Sequence, residues 1–284
     1  MDLEQRSVRQ VIDAKDIEID WLGVGGDRGL RGIAFDADRI FIAASDTLFA
    51  YDQNFELLHS WQCPYLKYAQ GMAIYERTLY IASAGFDTIL GFHLDERRFH
   101  WAMQVVKSNY KYQIAGFDPA GDDGPLMLNK LHLNSVVANQ YGLYIGGLRA
   151  GGMLHFSGKR LNMAVTLPEG SRDARPFRDG VVFNDTEAGA LRYTGRGDGA
   201  EDRGMRLAEI DADSVDHNDA VREGRAKLGF ARGLCVLSDS VVAGGSSPTT
   251  VTVYDLASNT TAGSVRISND ARSSVHSIAV WPHR

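Results

Sequence analysis

RGIAFDADRIFIAASDTLFAYD, residues 31–52, opens on a polar residue, runs through a short apolar stretch and turns into a second and a third. Four further stretches align with it without gaps: QGMAIYERTLYIASAGFDTILGFHLD at 70–95, NSVVANQYGLYIGGLRAGGMLHFS at 134–157, RDARPFRDGVVFNDTEAGALRYTG at 172–195, and RGLCVLSDSVVAGGSSPTTVTVYDL at 232–256. In each, the second run begins at the same offset from the leading polar residue, at Arg39, Thr78, Gly142, Gly180 and Ser240. A fourth run follows most of them, such as LLHSW, RFHWAMQ, NMAVTLP or AGSVRI. The runs are short and rich in Val, Ile, Tyr, Phe and Leu, with Gly, Asp, Asn and Ser between them. That alternation reads as strand, turn, strand.

Four short antiparallel strands repeating at roughly 40 residues are the signature of a β-propeller. A lone four-stranded sheet cannot bury both faces, so successive sheets must pack on one another. A sixth leader, His276, opens HSIAVW near the C-terminus. The expected fold is therefore an all-β propeller of six blades, with five as the alternative. The last blade would be completed by the N-terminal runs SVRQVID and DIEIDWLG. Residues 1–284 read as a single propeller domain, with insertions near 107–131 and 195–229 rising as partial lids.

The 284 residues are 44% hydrophobic and 23% charged, an ordinary globular balance. Net charge is -6, and no run of Lys or Arg could track a phosphate backbone, so nucleic acid is not an expected partner. No window approaches the roughly 18 apolar residues that span a bilayer, and MDLEQRSVRQVIDAKD lacks a signal-peptide core. The two cysteines, Cys63 and Cys235, form no disulfide framework and suit a reducing cytoplasm.

In a propeller the leaders meet around one opening. The expected ring is Arg31, Gln70, Asn134, Arg172 (or Arg175), Arg232 and His276, with His132 just above Asn134. The turns between second and third strands add Asp46, Asp87, Arg149, Glu187 and Ser246. Three Arg and a His without an acid among the leaders favour a small anion, because guanidinium forks match carboxylate, phosphate or sulfate. His132 and His276 are the candidate acid–base pair. The competing structural reading has Asp46, Asp87 and Glu187 pairing with the arginines and locking the sheets together.

GVGGDRG at 23–29 lacks dinucleotide-loop spacing and reads as a turn. DPAGDDG at 118–124 and DADSVDHND at 211–219 resemble calcium loops without the full ligand order, and read as solvated loops. His217 lies in the second of these.

The repeat RGIAF…RIFIAAS resembles the six-bladed superfamily that includes gluconolactonases and strictosidine-synthase-like proteins. HLNSVVANQYGLYIGG is similar to a lactonase strand in which an Asn binds a divalent metal. That likeness makes Asn134 a metal-ligand candidate, although Arg172 and Arg232 would repel a cation. GFARGLCVLSDSVVAGGSS, FNDTEAG and HLN resemble segments of uncharacterised bacterial propeller-like proteins. Three functions follow as expectations: an enzyme acting on an anionic substrate by His chemistry, a non-catalytic propeller binding a protein or ligand across its face, and a metal-dependent lactonase-like hydrolase.

Overall fold

The computed structural model describes residues 1–2, 5, 7–13, 29–109, 111–196, 201–224 and 226–282. The chain divides into two compact units, one of Ile12–Ser171 and one of Met1–Val11 with Arg172–Arg284.

The Ile12–Ser171 unit holds three sheets. The first is β1 (Leu30–Asp36), β2 (Arg39–Ala44), β3 (Thr47–Tyr51) and β4 (Leu57–Gln62). The second is β5 (Ala69–Tyr75), β6 (Thr78–Ser83), β7 (Thr88–His93), β8 (Arg98–Ser108) and β9 (Lys111–Phe117). The third is β10 (Leu133–Asn139), β11 (Gly142–Gly147), β12 (Gly152–Phe156) and β13 (Leu161–Thr166). Each is an antiparallel meander in sequence order, as short strands joined by tight turns dictate. Apolar faces meet between sheets: Phe41 and Leu48 of the first join Leu79, Leu90 and Phe92 of the second. Met103 and Val105 likewise join Val136, Ile145 and Leu154 of the third.

The other unit holds two sheets. β14 (Ser171–Phe177), β15 (Gly180–Asp185), β16 (Ala190–Thr194) and β17 (Asp202–Arg206) form one. β18 (Leu234–Val236), β19 (Val241–Ser246), β20 (Thr250–Asp255) and β21 (Thr260–Arg266) form the other. Their shared core includes Val182, Leu191, Met205, Val242 and Tyr254.

Among the described residues five sheets are present, which corrects the six-bladed expectation to the five-bladed alternative. His276 opens no strand. The segment instead lies along the fifth sheet, where Val275 packs with Ala243 and Val251 and its amide donates to the Ser246 carbonyl at 3.5 Å. SVRQVID contributes an isolated bridge between Asp2 and Ser7, and DIEIDWLG and all but the last residue of GVGGDRG lie outside the described residues.

The insertions also differ from expectation. Much of 107–131 is strand: β9 pairs with β8 from Ala102↔Phe117 to Ser108↔Lys111, extending the second sheet at its edge. The Asp118–Gly124 turn packs back on Tyr65, whose hydroxyl donates to the Gly121 carbonyl at 3.0 Å and accepts from the Gly124 amide at 2.7 Å. Within 195–229, β17 supplies the fourth strand of its sheet. It is followed by a 3-10 turn (Ala212–Ser214) and a short helix, α1 (Asn218–Arg222). Neither acidic loop gathers ligands outward: Asp118 and Asp211 accept from the amides of Ala120 and Asp213, both at 2.9 Å. Cys63 and Cys235 are free thiols, and no described helix is long and apolar enough to cross a membrane.

Candidate functional site

In the Ile12–Ser171 unit the leaders are buried on innermost strands. Arg31 is 4% exposed, Gln70 7% and Asn134 2%. Each sits at a register shift against the second strand, between Leu30 and Ile33, Ala69 and Met72, and Leu133 and Ser135. A bulge leaves a residue out of the ladder and re-aims its side chain. A small residue follows each leader because neighbouring inner strands meet there. A Cβ on Gly32 would lie 2.4 Å from the Gln70 carbonyl oxygen, and one on Gly71 2.9 Å from Ser135 Cα. The Asn134 amide donates to the Ser171 carbonyl at 3.0 Å.

His132 and Arg149 come together around Asn129. The His132 ring, on a residue in the left-handed region (φ 52), lies 3.0 Å from Asn129 Oδ1 through Nδ1. The exposed Arg149 guanidinium donates to the carbonyls of Lys130 (2.7 Å) and Asn129. Asp87 Oδ2 accepts the amides of Lys130 at 2.6 Å and Leu131 at 2.9 Å. Asp87 is 4% exposed, and burial pushes its carboxyl above the ordinary value, against the lowering pull of those amides. Asp46 accepts from Thr47 Oγ1 at 3.0 Å and pairs with Lys67 at 3.4 Å.

In the other unit, Arg172 is 8% exposed with its guanidinium 5.5 Å over the Phe230 ring, a cation–π contact. Arg175 and Arg232 are half-buried. Arg175 Nε is buried without a hydrogen-bond partner among the described residues. Its charge lowers the nearby Cys235 thiol, which burial raises more strongly. His276 lies on the irregular C-terminal segment with Nε2 3.4 Å from Ser274 Oγ. Glu187 is exposed at the β15–β16 turn, Ser246 is buried at the end of β19, and His217 precedes α1.

Sequence reasoning passed over a clasp built by Asp173 and Asn184. Asp173 Oδ2 accepts the Gly233 amide at 2.8 Å and Asn184 Nδ2 at 3.1 Å, and the same Nδ2 donates to the Gly233 carbonyl at 3.1 Å. Two side chains thus satisfy both backbone groups of one residue, as a ladder rung would. The signal lay inside the repeat. The residue after the leader is Gly32, Gly71, Ser135, Asp173 and Gly233, and the one twelve after it is Ala43, Ala82, Gly146, Asn184 and Gly244. The fourth repeat departs from small residues at both places.

A cavity of about 420 Å³ opens among the hairpin turns of the first two sheets, lined by Asp36, Asp38, Arg39, Arg77, Asp95 and Arg97. Arg77 pairs with Asp36 at 2.8 Å and Asp95 at 2.6 Å, and its guanidinium holds the Asp95 carboxyl below the usual range. Among the described residues no three His, Cys, Asp or Glu side chains gather as a metal site.

No family model matches this chain, and no curated protein matches it. Solved structures do. U3-55K is similar at TM-score 0.54 and 12% identity over 86% of this chain, which spans 66% of U3-55K. The Cps50 (Swd1) β-propeller domain of Myceliophteria thermophila is similar at TM-score 0.51 and 9% identity, covering 86% of this chain and 88% of that one. The computationally designed Ika8 protein is similar at TM-score 0.47 and 12% identity, covering 90% of this chain and 91% of that one. At such identities the likeness shows the fold alone, a β-propeller, here with five blade sheets. No family or sequence relative stands behind the resemblance to gluconolactonases or bacterial propeller-like proteins.

Proposed function

We propose that this chain is a non-catalytic binding propeller, which holds a partner molecule without converting it. The observation that carries the reading is the commitment of His132, one of the two candidate catalytic side chains, and of polar side chains around the sheets to structural bonds. His132 and Arg149 bond to the Asn129–Lys130 segment, Asp87 caps the amides that follow it, and Asp173 with Asn184 clasps Gly233. A general base must be able to reach a substrate proton, and one of the two His132 ring nitrogens is taken up by Asn129. Propellers serve widely as binding and scaffold modules, and the fold fits that role.

A second reading, an anion held by the arginines of the Arg172–Arg284 segment, is favoured by Arg175. Its buried Nε would gain a hydrogen bond from a carboxylate or phosphate oxygen.

The test is ligand NMR with the full chain and a panel of sugars, sugar acids, sugar phosphates and carboxylates. Binding should broaden ligand resonances while no product signals grow. Turnover that disappears in His132→Gln, in a variant with unchanged melting temperature, would overturn the reading.

A further inference from the structure

The β20–β21 pair presents a polar array in which one member, Thr252, stands where other sheets carry a buried apolar side chain. Thr250 stands opposite Arg266 and Thr252 opposite Ser264 in the antiparallel register. With a side-chain period of two, these four residues share the face that carries Tyr254. Tyr254 packs into the core with Leu191 and Met205, so the face is apolar at one end and hydroxyl-lined at the other.

The register locates the change. On the face that carries the residue paired with the second position after the leader, the third-strand residues Leu90, opposite Ile81, and Leu154, opposite Ile145, are both 0% exposed in the core. In the fifth sheet the residue in that place, opposite Gly244, is Thr252. A hydroxyl has replaced a buried aliphatic group, and the space beside it is a groove of about 360 Å³. Leu207 and Ile210 form its apolar wall, and the Leu207 amide is fixed to the Gly189 carbonyl at 2.9 Å.

The polar floor is preorganised. Thr252 Oγ1 and Ser264 Oγ are 2.9 Å apart, so one hydroxyl donates to the other and a second O–H remains to donate outward. Thr250 Oγ1 donates to the Pro248 carbonyl at 2.8 Å, which leaves its lone pairs to accept. Arg266 adds a guanidinium, and no carboxylate lines the groove. Donor and acceptor hydroxyls match a polyol, the aliphatic wall matches the C–H face of a sugar ring, and the guanidinium matches one anionic group. The volume lies in the range of small-ligand sites, roughly 300–1,000 Å³.

We propose that this groove binds a polyol carrying a single anionic group, a sugar acid or a sugar phosphate. The inference rests on the binding reading and gives it a place and a ligand class. The test is titration of the full chain with glucuronate, glucose 6-phosphate, glucose and inorganic phosphate, followed by ligand NMR or calorimetry. Arg266→Gln and Thr252→Val are measured alongside, with melting temperatures confirming the fold. At least one anionic sugar should bind more tightly than glucose and than inorganic phosphate, and whichever binds reports whether carboxylate or phosphate is preferred. Its affinity should fall at least ten-fold in Arg266→Gln and at least three-fold in Thr252→Val. Affinity untouched by both variants, phosphate binding as tightly as the sugars, or no sugar binding at all would overturn the groove inference while leaving the non-catalytic reading in place. Conversion of a bound sugar would overturn that reading instead.

Discussion

Replacing Asn184 by Ala removes the hinge of the Asp173–Asn184–Gly233 clasp, and the cost can be worked from its bonds. Asn184 is 1% exposed and lies within the second strand of its sheet. Its Nδ2 donates to the Gly233 carbonyl and to the Asp173 carboxylate, both at 3.1 Å. The neutral bond contributes about 1 kcal/mol and the charged one about 1.5–3 kcal/mol. Against this, Asn184 Oδ1 is buried without a partner among the described residues, and its removal returns about 1 kcal/mol. The net expectation is a loss of about 1.5–3 kcal/mol. For a chain of this length each kcal/mol lowers the melting temperature by roughly 2–4 °C, so the variant should melt about 6 °C below the wild type. Urea unfolding followed by circular dichroism measures the same loss as a shift in midpoint at unchanged slope. Asp173→Ala and the double variant complete a cycle in which the two losses should be non-additive by about 1.5–3 kcal/mol, because either substitution breaks their shared charged bond. An Asn184→Ala protein within about 0.5 kcal/mol of wild type, or strictly additive losses, would show that the clasp does not hold the sheets. The structural assignment of these polar residues would fall with it.

Two further stability expectations follow from geometry. Asp87 has its folded-state carboxyl raised by burial above 3.8, so the native state keeps a proton that the unfolded chain has already lost. Stability from this group therefore falls as pH rises from about 4 toward the folded value. Asp87→Asn should remove that slope, so wild type gains on the variant as pH is lowered toward 4; parallel urea midpoints across pH 4–7 would refute this. Gly32→Ala places a Cβ 2.4 Å from the Gln70 carbonyl oxygen and 2.6 Å from Met72 Cγ. The Met side chain can turn away, but the β5 backbone cannot. The overpacking cost of about 1–3 kcal/mol should exceed the roughly 0.4–1 kcal/mol gained by stiffening the unfolded chain. Thermal melts should rank Gly32→Ala below Gly71→Ala, whose nearest contact is 2.9 Å, and an equal or higher melting temperature for Gly32→Ala would refute the close approach.

The five gapless repeats carried the sheets because strand period and turn chemistry are local. Where the reading failed, the deciding contact was not local. HSIAVW at 276–281 has the apolar run of an innermost strand, yet a strand exists through its neighbour, and the segment beside it packs along the fifth sheet through Val275 instead. KYQIAGF at 111–117 falls inside the expected insertion because its repeat equivalents carry nothing there, although its alternation is that of an edge strand. The leaders were legible because the repeats align without gaps and each opens on a polar residue at a fixed offset from the second run. Their bonds were not, because hydrogen-bond partners such as Asn129 for His132 sit in segments outside the repeat.

In a repeat protein the residue that breaks the pattern tells more than the residue that keeps it, because the pattern itself is the solution to burying a sheet. Asp173 and Asn184 depart together in one repeat and meet in a hydrogen bond, so this pair of departures is a structural compensation. Thr252 also departs at a core register position, but its nearest polar partner is the exposed Ser264, and a groove opens instead of a buried clasp. The two cases separate on one physical criterion. A polar substitution whose hydrogen bonds close inside the core strengthens the scaffold. One whose hydroxyls remain partly unfilled at a cavity gives up buried apolar area without an internal return, and a bound polyol would supply the missing partners. Restoring the repeat with Thr252→Leu should on this reasoning leave stability unchanged or raised while the groove loses its floor.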